Sequence, residues 1–209
     1  MAAPAVCPRC PAMLLNPWLC PSCGPLAAIP AHANPFQIFG ITPAFELELA
    51  AIDKRNVQLA RVAHPDHYAA EPAKAALATA QSGAINAAAE CLKNPWTRAE
   101  ALLALWSNGK TFDRKYVPPP LLLEALEVQE ALSGGAAADL IARARSVTDQ
   151  YEARLRDLQR KLRDALAALA AAPGAAPWGQ AAQHLLNERK YYQNIIELAE
   201  RVIETQGVS

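Results

Sequence analysis

Apolar positions recur along most of this chain at steps of three and four residues, the period of one face of a helix. Asn34-Pro35 pairs a capping side chain with a proline suited to the first turn, and Phe36 and Phe39 follow on one side before Gly40 stops the turn. Thr42-Pro43 repeats that start signal. Phe45, Leu49, Ile52 and Leu59 then predict a helix from Pro43 to Ala63 with one buried face. Leu77, Ile85, Ala88 and Leu92 predict its antiparallel return, Pro95 interrupts it, and Leu102, Leu103 and Leu105 mark a short helix beyond. Further on, Leu121 to Leu132 predicts a short helix closed by Gly134-Gly135. A long stripe follows: Leu140, Ala144, Val147, Tyr151, Leu155, Leu158, Leu162, Leu166 and Leu169. After a turn from Pro173-Gly174 to Pro177, Leu185, Tyr192, Ile195, Ala199 and Val202 return, which makes a three-helix bundle. The expected class is all-α: a helical hairpin unit over 34–106, a linker over 107–118 and a bundle over 119–209. Residues 1–33 are set apart as a small metal-binding segment with a Pro- and Ala-rich linker.

Composition narrows the function classes. Of 209 residues, 52% are hydrophobic, which excludes disorder as the main state. Lys+Arg and Asp+Glu both number 20, so the global charge favours neither nucleic acid nor an anionic membrane surface. No apolar run is long enough to cross a bilayer, and the first thirty residues lack the pattern of a secretory or transit peptide. The expected location is cytoplasmic, where thiols stay reduced.

That reducing setting shapes the reading of the cysteines. Cys7-Pro-Arg-Cys10 and Cys20-Pro-Ser-Cys23 are two short-spaced pairs separated by nine residues. Two residues between cysteines let both sulfurs converge on one ion, and two such knuckles complete a tetrahedral thiolate site of the zinc-ribbon kind. Zinc is the expected metal, with iron able to use the same sulfurs. A closed four-sulfur site leaves no position for substrate, so the role is structural. Cys91, on a helix beside Leu92, reads as a small buried apolar residue.

Between the paired helices stands His64-Pro65-Asp66, where proline breaks the helix and projects its neighbours outward. Asp66 can accept a partner's arginine or amide groups, and His64 offers a donor and an acceptor. Lys54 and Arg61, seven residues apart, lie nearly eclipsed on the preceding helix, with Arg55 one position round. Nothing points to an independent catalytic site: no Gly-x-Ser-x-Gly and no phosphate loop occur, and Pro65 spoils helical presentation of His64 and His67. A zinc-ribbon nucleic-acid binder is the rival from another class, opposed by the balanced charge.

Taken together, Phe36-Gln37-Ile38-Phe39-Gly40-Ile41, Arg61, His64-Pro65-Asp66, Ile85-Asn86 through Leu92, Pro95 and Arg98-Ala99-Glu100 resemble a J-domain. With Leu121-Leu122-Leu123-Glu124-Ala125-Leu126-Glu127-Val128, the chain over about 34 to 206 resembles the HscB family of co-chaperones for iron–sulfur cluster assembly. The resemblance implies a J-domain over 34–106 that docks on an HscA- or DnaK-type chaperone and triggers its ATP hydrolysis. Asp66, with His64 and Pro65, would meet a partner arginine, and Lys54, Arg55 and Arg61 would face an acidic patch. It also implies that the C-terminal bundle holds an IscU-type scaffold protein through Leu122, Leu123, Leu126, Glu127, Glu130 and Tyr191, some of them falling in the core. A J-protein with another client is the alternative. The chain departs from the family pattern at Asn56, Ala63, His67 and Gly134-Gly135.

Overall fold

A computed structural model describes residues 5–207, which divide into two compact units, Met1–Leu105 and Trp106–Ser209. The first unit begins with two short antiparallel strands, β1 (Leu19–Cys20) and β2 (Gly24–Pro25), in register Leu19 to Pro25 and Cys20 to Gly24. Helices α1 (Pro35–Phe39), α2 (Leu49–Val62), α3 (Pro72–Lys93) and α4 (Pro95–Trp106) follow, with a 3-10 turn at Pro65–Tyr68 between α2 and α3. Helix α1 is cut to length by its ends. The Gln37 amide donates to Asn34 Oδ1 at 2.9 Å and the Asn34 amide to Gln37 Oε1 at 3.1 Å, a reciprocal cap. Gly40 then takes the left-handed conformation, φ 64°, that closes the helix.

Helices α2 and α3 run antiparallel: Lys93 pairs with Asp53 at 2.5 Å near one end, and the Ser82 hydroxyl donates to the Ala63 carbonyl at 2.7 Å near the other. Ile52 and Leu59 on α2 meet Ala78, Ile85, Ala88, Ala89 and Leu92 on α3 in the buried interior, with Phe36 and Phe39 from α1. Two expectations change here. Helix α2 begins at Leu49 rather than Pro43, and Leu49 is 49% exposed. The physical reason is tertiary: Arg98, buried in α4, sits 5.3 Å from the Phe45 ring and donates to the Leu92 carbonyl at 2.5 Å. Holding Phe45 there keeps 43–48 non-helical, and that packing outweighs a local start signal.

The second unit contains α5 (Pro119–Ala131), α6 (Ala137–Ala171) and α7 (Ala176–Gly207), with α6 and α7 packed along their lengths and α5 against α7. Leu140, Ala144, Tyr151, Leu158, Leu162, Leu166 and Leu169 line the core as the stripe predicts, while Val147 and Leu155 are half-buried. On α7, Leu186 is buried where the pattern pointed to Leu185. The segment expected as a linker, 107–118, packs on α7 as a strap. Asn187 Nδ2 donates to the carbonyls of Asp113 (2.9 Å) and Tyr116 (3.0 Å), and Lys110 Nζ to that of Gly174 (2.5 Å). Phe112 lies so close to Gly179 that a side chain there would overlap its ring.

Candidate functional site

The N-terminal knuckles bring four sulfurs together. The Sγ atoms of Cys7, Cys10, Cys20 and Cys23 all lie within 4.8 Å of one another, with Cys7–Cys23 at 4.0 Å, Cys10–Cys20 at 3.6 Å and Cys10–Cys23 at 3.5 Å. A tetrahedral ion with metal–sulfur bonds of about 2.3 Å needs sulfurs about 3.8 Å apart, so the set fits a metal ion. The Arg9 amide points at Cys7 Sγ and the Cys23 amide at Cys20 Sγ, each at 3.4 Å, the backbone arrangement that stabilises thiolates. Burial opposes ionisation of Cys20, yet the amides of Cys23 and Ser22 and the thiols of Cys10 and Cys7 bring it down to about 7. Cys23 goes the other way, to about 12, pushed by the Cys10 thiol and by burial. A cluster that yields one thiolate readily and resists the others is one that a cation would complete. Cys91 is half-buried and donates to the Thr97 carbonyl at 3.5 Å, away from this cluster, as expected of a packing residue.

The segment expected to be an appendage is fastened to the helices. Asn16 Nδ2 donates to the Ile38 carbonyl at 2.7 Å, and buried Gln81 donates to the carbonyls of Trp18 (3.0 Å) and Ala27 (2.7 Å). Arg55 donates through Nη2 to Leu15 at 2.5 Å and through Nε to Phe39 at 2.9 Å, and burial lowers its guanidinium pKa. Its placement differs from that of Lys54 and Arg61, which are exposed on α2. A short segment without a core of its own must bury its polar backbone against something, and these side chains supply the donors.

The 3-10 turn carries His64, Pro65 and Asp66 at its start. Asp66 is 83% exposed, with His64 Nδ1 3.7 Å from its carboxylate, and the His64 and His67 rings lie 5.7 Å apart. Tyr68, which no sequence pattern singles out, anchors the turn: its hydroxyl donates to the Val62 carbonyl at 2.8 Å and Lys74 sits 4.6 Å from its ring.

In the second unit, α5 divides into two rows. Leu121 and Leu132 are buried, and Val128 packs with Leu132 against Ala144 and Ala199. Leu122, Leu123 and Leu126 face outward at 44%, 60% and 63% exposure, beside exposed Glu127 and Glu130. Tyr191 on α7 is half-buried. None of the six is fully buried, contrary to the expectation that some form core, because the inner row at 121, 128 and 132 satisfies the bundle alone. Beneath α5 lies a polar cluster the sequence did not announce. Arg154 pairs with Glu124 at 2.6 Å and stands 4.8 Å from the Tyr151 ring and 5.9 Å from that of Tyr192.

These features meet in known proteins. The chain is 30% identical over 178 residues to the co-chaperone protein HscB homolog of Vibrio vulnificus strain YJ016, covering 80% of this chain and 96% of that relative. The chain belongs to the HscB co-chaperone family. The HscB homolog of Shewanella loihica is 33% identical over 101 residues, 47% of this chain and 58% of the relative. The HscB chaperone from Vibrio cholerae superposes with a TM-score of 0.67 at 26% identity, covering 83% of this chain and 99% of that structure. Human co-chaperone protein HscB matches in fold, TM-score 0.72 at 20% identity, across 94% of this chain and 98% of that one. No family model matches. This HscB-family chain therefore joins a helical body of that fold to a four-cysteine cluster that could bind a metal.

Proposed function

We propose that this protein stimulates the ATPase of an HscA/DnaK-type chaperone and delivers to it an IscU-like scaffold of iron–sulfur cluster assembly. The observation that carries this is Asp66, held almost fully exposed on a short turn at the tip of two packed helices. An exposed carboxylate at the end of a rigid hairpin can reach an arginine on a partner without either protein unfolding. Exposed Lys54 and Arg61 on α2 would face an acidic patch on the chaperone. Arg55, tied to the knuckle, supports that surface from beneath. The protein has no chemistry of its own here; it activates the partner's.

The second arm is α5. Leu122, Leu123 and Leu126 form an outward apolar row, and burying such a side chain against a partner stabilises the contact by about 1.5–3 kcal/mol when complete. Glu127, Glu130 and Tyr191 border it and would fix the register of the scaffold. Zinc is our assignment for the four cysteines, since a closed thiolate tetrahedron suits it and no redox partner is implied. Those cysteines would hold it as a structural cross-link, and the absence of a spanning helix among the described residues suits a cytoplasmic working place.

Single-turnover ATP hydrolysis by the cognate chaperone, with scaffold protein present, tests both arms. Asp66→Asn should abolish stimulation with the circular dichroism spectrum unchanged; a variant that stimulates normally defeats the reading. Leu122→Ser with Leu126→Ser should keep direct stimulation but weaken scaffold binding by roughly thirtyfold, the size expected for two lost leucine contacts. Unaltered scaffold binding would favour a J-protein with another client.

A further inference from the structure

The turn that carries Asp66 holds itself in place poorly. None of its residues from Pro65 to Tyr68 is fully buried, and His64, Asp66 and His67 all face solvent. Its one packed side chain is Tyr68, two residues after Asp66, whose hydroxyl closes the turn onto the last residue of α2 through the Val62 carbonyl. On its other side that hydroxyl rests on Gly24. A Cβ at Gly24 would overlap it, and φ of 78° there favours glycine in any case.

Gly24 follows Cys23 directly and pairs across the two strands with Cys20. The seat of Tyr68 is therefore built from the backbone of the metal knuckle. Gln81 from α3 and Arg55 from α2 clamp the same knuckle through Trp18, Ala27 and Leu15. A segment this small has no core, so its shape depends on metal. What loosens the knuckle loosens the floor under Tyr68.

We propose that Tyr68 is a positioning residue for Asp66 and that the metal-filled knuckle is its seat, so that metal loss weakens ATPase stimulation without altering Asp66 itself. This rests on the co-chaperone reading above. The partner would then meet a mobile carboxylate in place of a fixed one, which lowers apparent affinity before it lowers the maximal rate.

The test uses the full-length protein, zinc-loaded, stripped with a chelator, and reloaded, with metal content measured by elemental analysis. Amide hydrogen exchange is followed at residues 64–71, alongside the concentration needed for half-maximal ATPase stimulation. Stripping should speed exchange at 64–71 by about tenfold, leave the 85–93 stretch of α3 unchanged, and reverse on reloading. Tyr68→Ala, with full zinc, should reproduce that exchange pattern and raise the half-maximal concentration about tenfold while the saturated rate stays at the wild-type value. Tyr68→Phe keeps the ring on its seat and loses one hydrogen bond, so it should remain within about threefold of wild type. Unchanged exchange at 64–71 in both the stripped protein and Tyr68→Ala overturns the proposal. So does a loss of protection spread evenly over α2 and α3, which would mean general unfolding. Should wild type fail to stimulate the chaperone, the co-chaperone reading falls, while hydrogen exchange still decides whether the knuckle seats the turn.

Discussion

Gln81 is a buried polar side chain on an otherwise apolar helix face, tolerable because its amide nitrogen reaches two carbonyls of the knuckle. The same logic governs the tyrosines under α5. Tyr151 is 1% exposed, and burial together with the Glu124 carboxylate pushes its phenol from 10.0 up to about 12. Burial and Glu188 push Tyr192 upward as well, with Arg154 opposing the shift in both. Between pH 10 and about 12 the unfolded chain gives up the Tyr151 proton that the folded chain keeps. The stabilisation present below that window is therefore lost as pH rises through it. Thermal unfolding followed across this range should show a falling melting temperature, and Tyr151→Phe should flatten the slope; an equal slope would remove the account. Of these residues only the tyrosines stood out beforehand, as members of apolar stripes. Glu124 and Arg154 read as surface charges, since nothing local marks two residues thirty apart as partners.

Helices were the most legible elements. The caps at Asn34 and Gly40 and the stop at Gly174 are local chemistry, and α1 and the α6–α7 turn end where those residues stand. The start of α2 was misplaced by six residues because Arg98 and Phe45, far apart in sequence, decide it. The strap at 107–118 shows the same limit. Its Gly, Lys and Pro content marks a loop, but only Asn187, buried at 2% exposure and bonded to Asp113 and Tyr116, makes it part of the bundle. Asn187→Ala leaves two carbonyls without their donor and should cost about 2 kcal/mol. Limited trypsin digestion should then cut at Arg114 and Lys115 much faster than in wild type; equal rates would mean the strap is held by other contacts.

Each of the two units has its own buried interior, and each presents one feature for a partner: an acidic turn in the first, an apolar row in the second. With 20 basic and 20 acidic residues, no net field draws polyanions to the chain. Gel-shift titration with duplex DNA or RNA at about 50 mM salt should give no retarded complex, and a steeply salt-dependent complex would revive the nucleic-acid reading. Helical class, the thiolate set and the acidic tripeptide could be read from the amino acids alone, because each is written in neighbours a few positions apart: a 3.6-residue period, paired cysteines, a proline after a helix. The seating of the turn on the knuckle, the inward draw of Arg55, the strap on α7 and the outward face of Leu122, Leu123 and Leu126 were settled only by folding. Each depends on which groups arrive together from distant parts of the chain, and on which side of a helix the core is already filled.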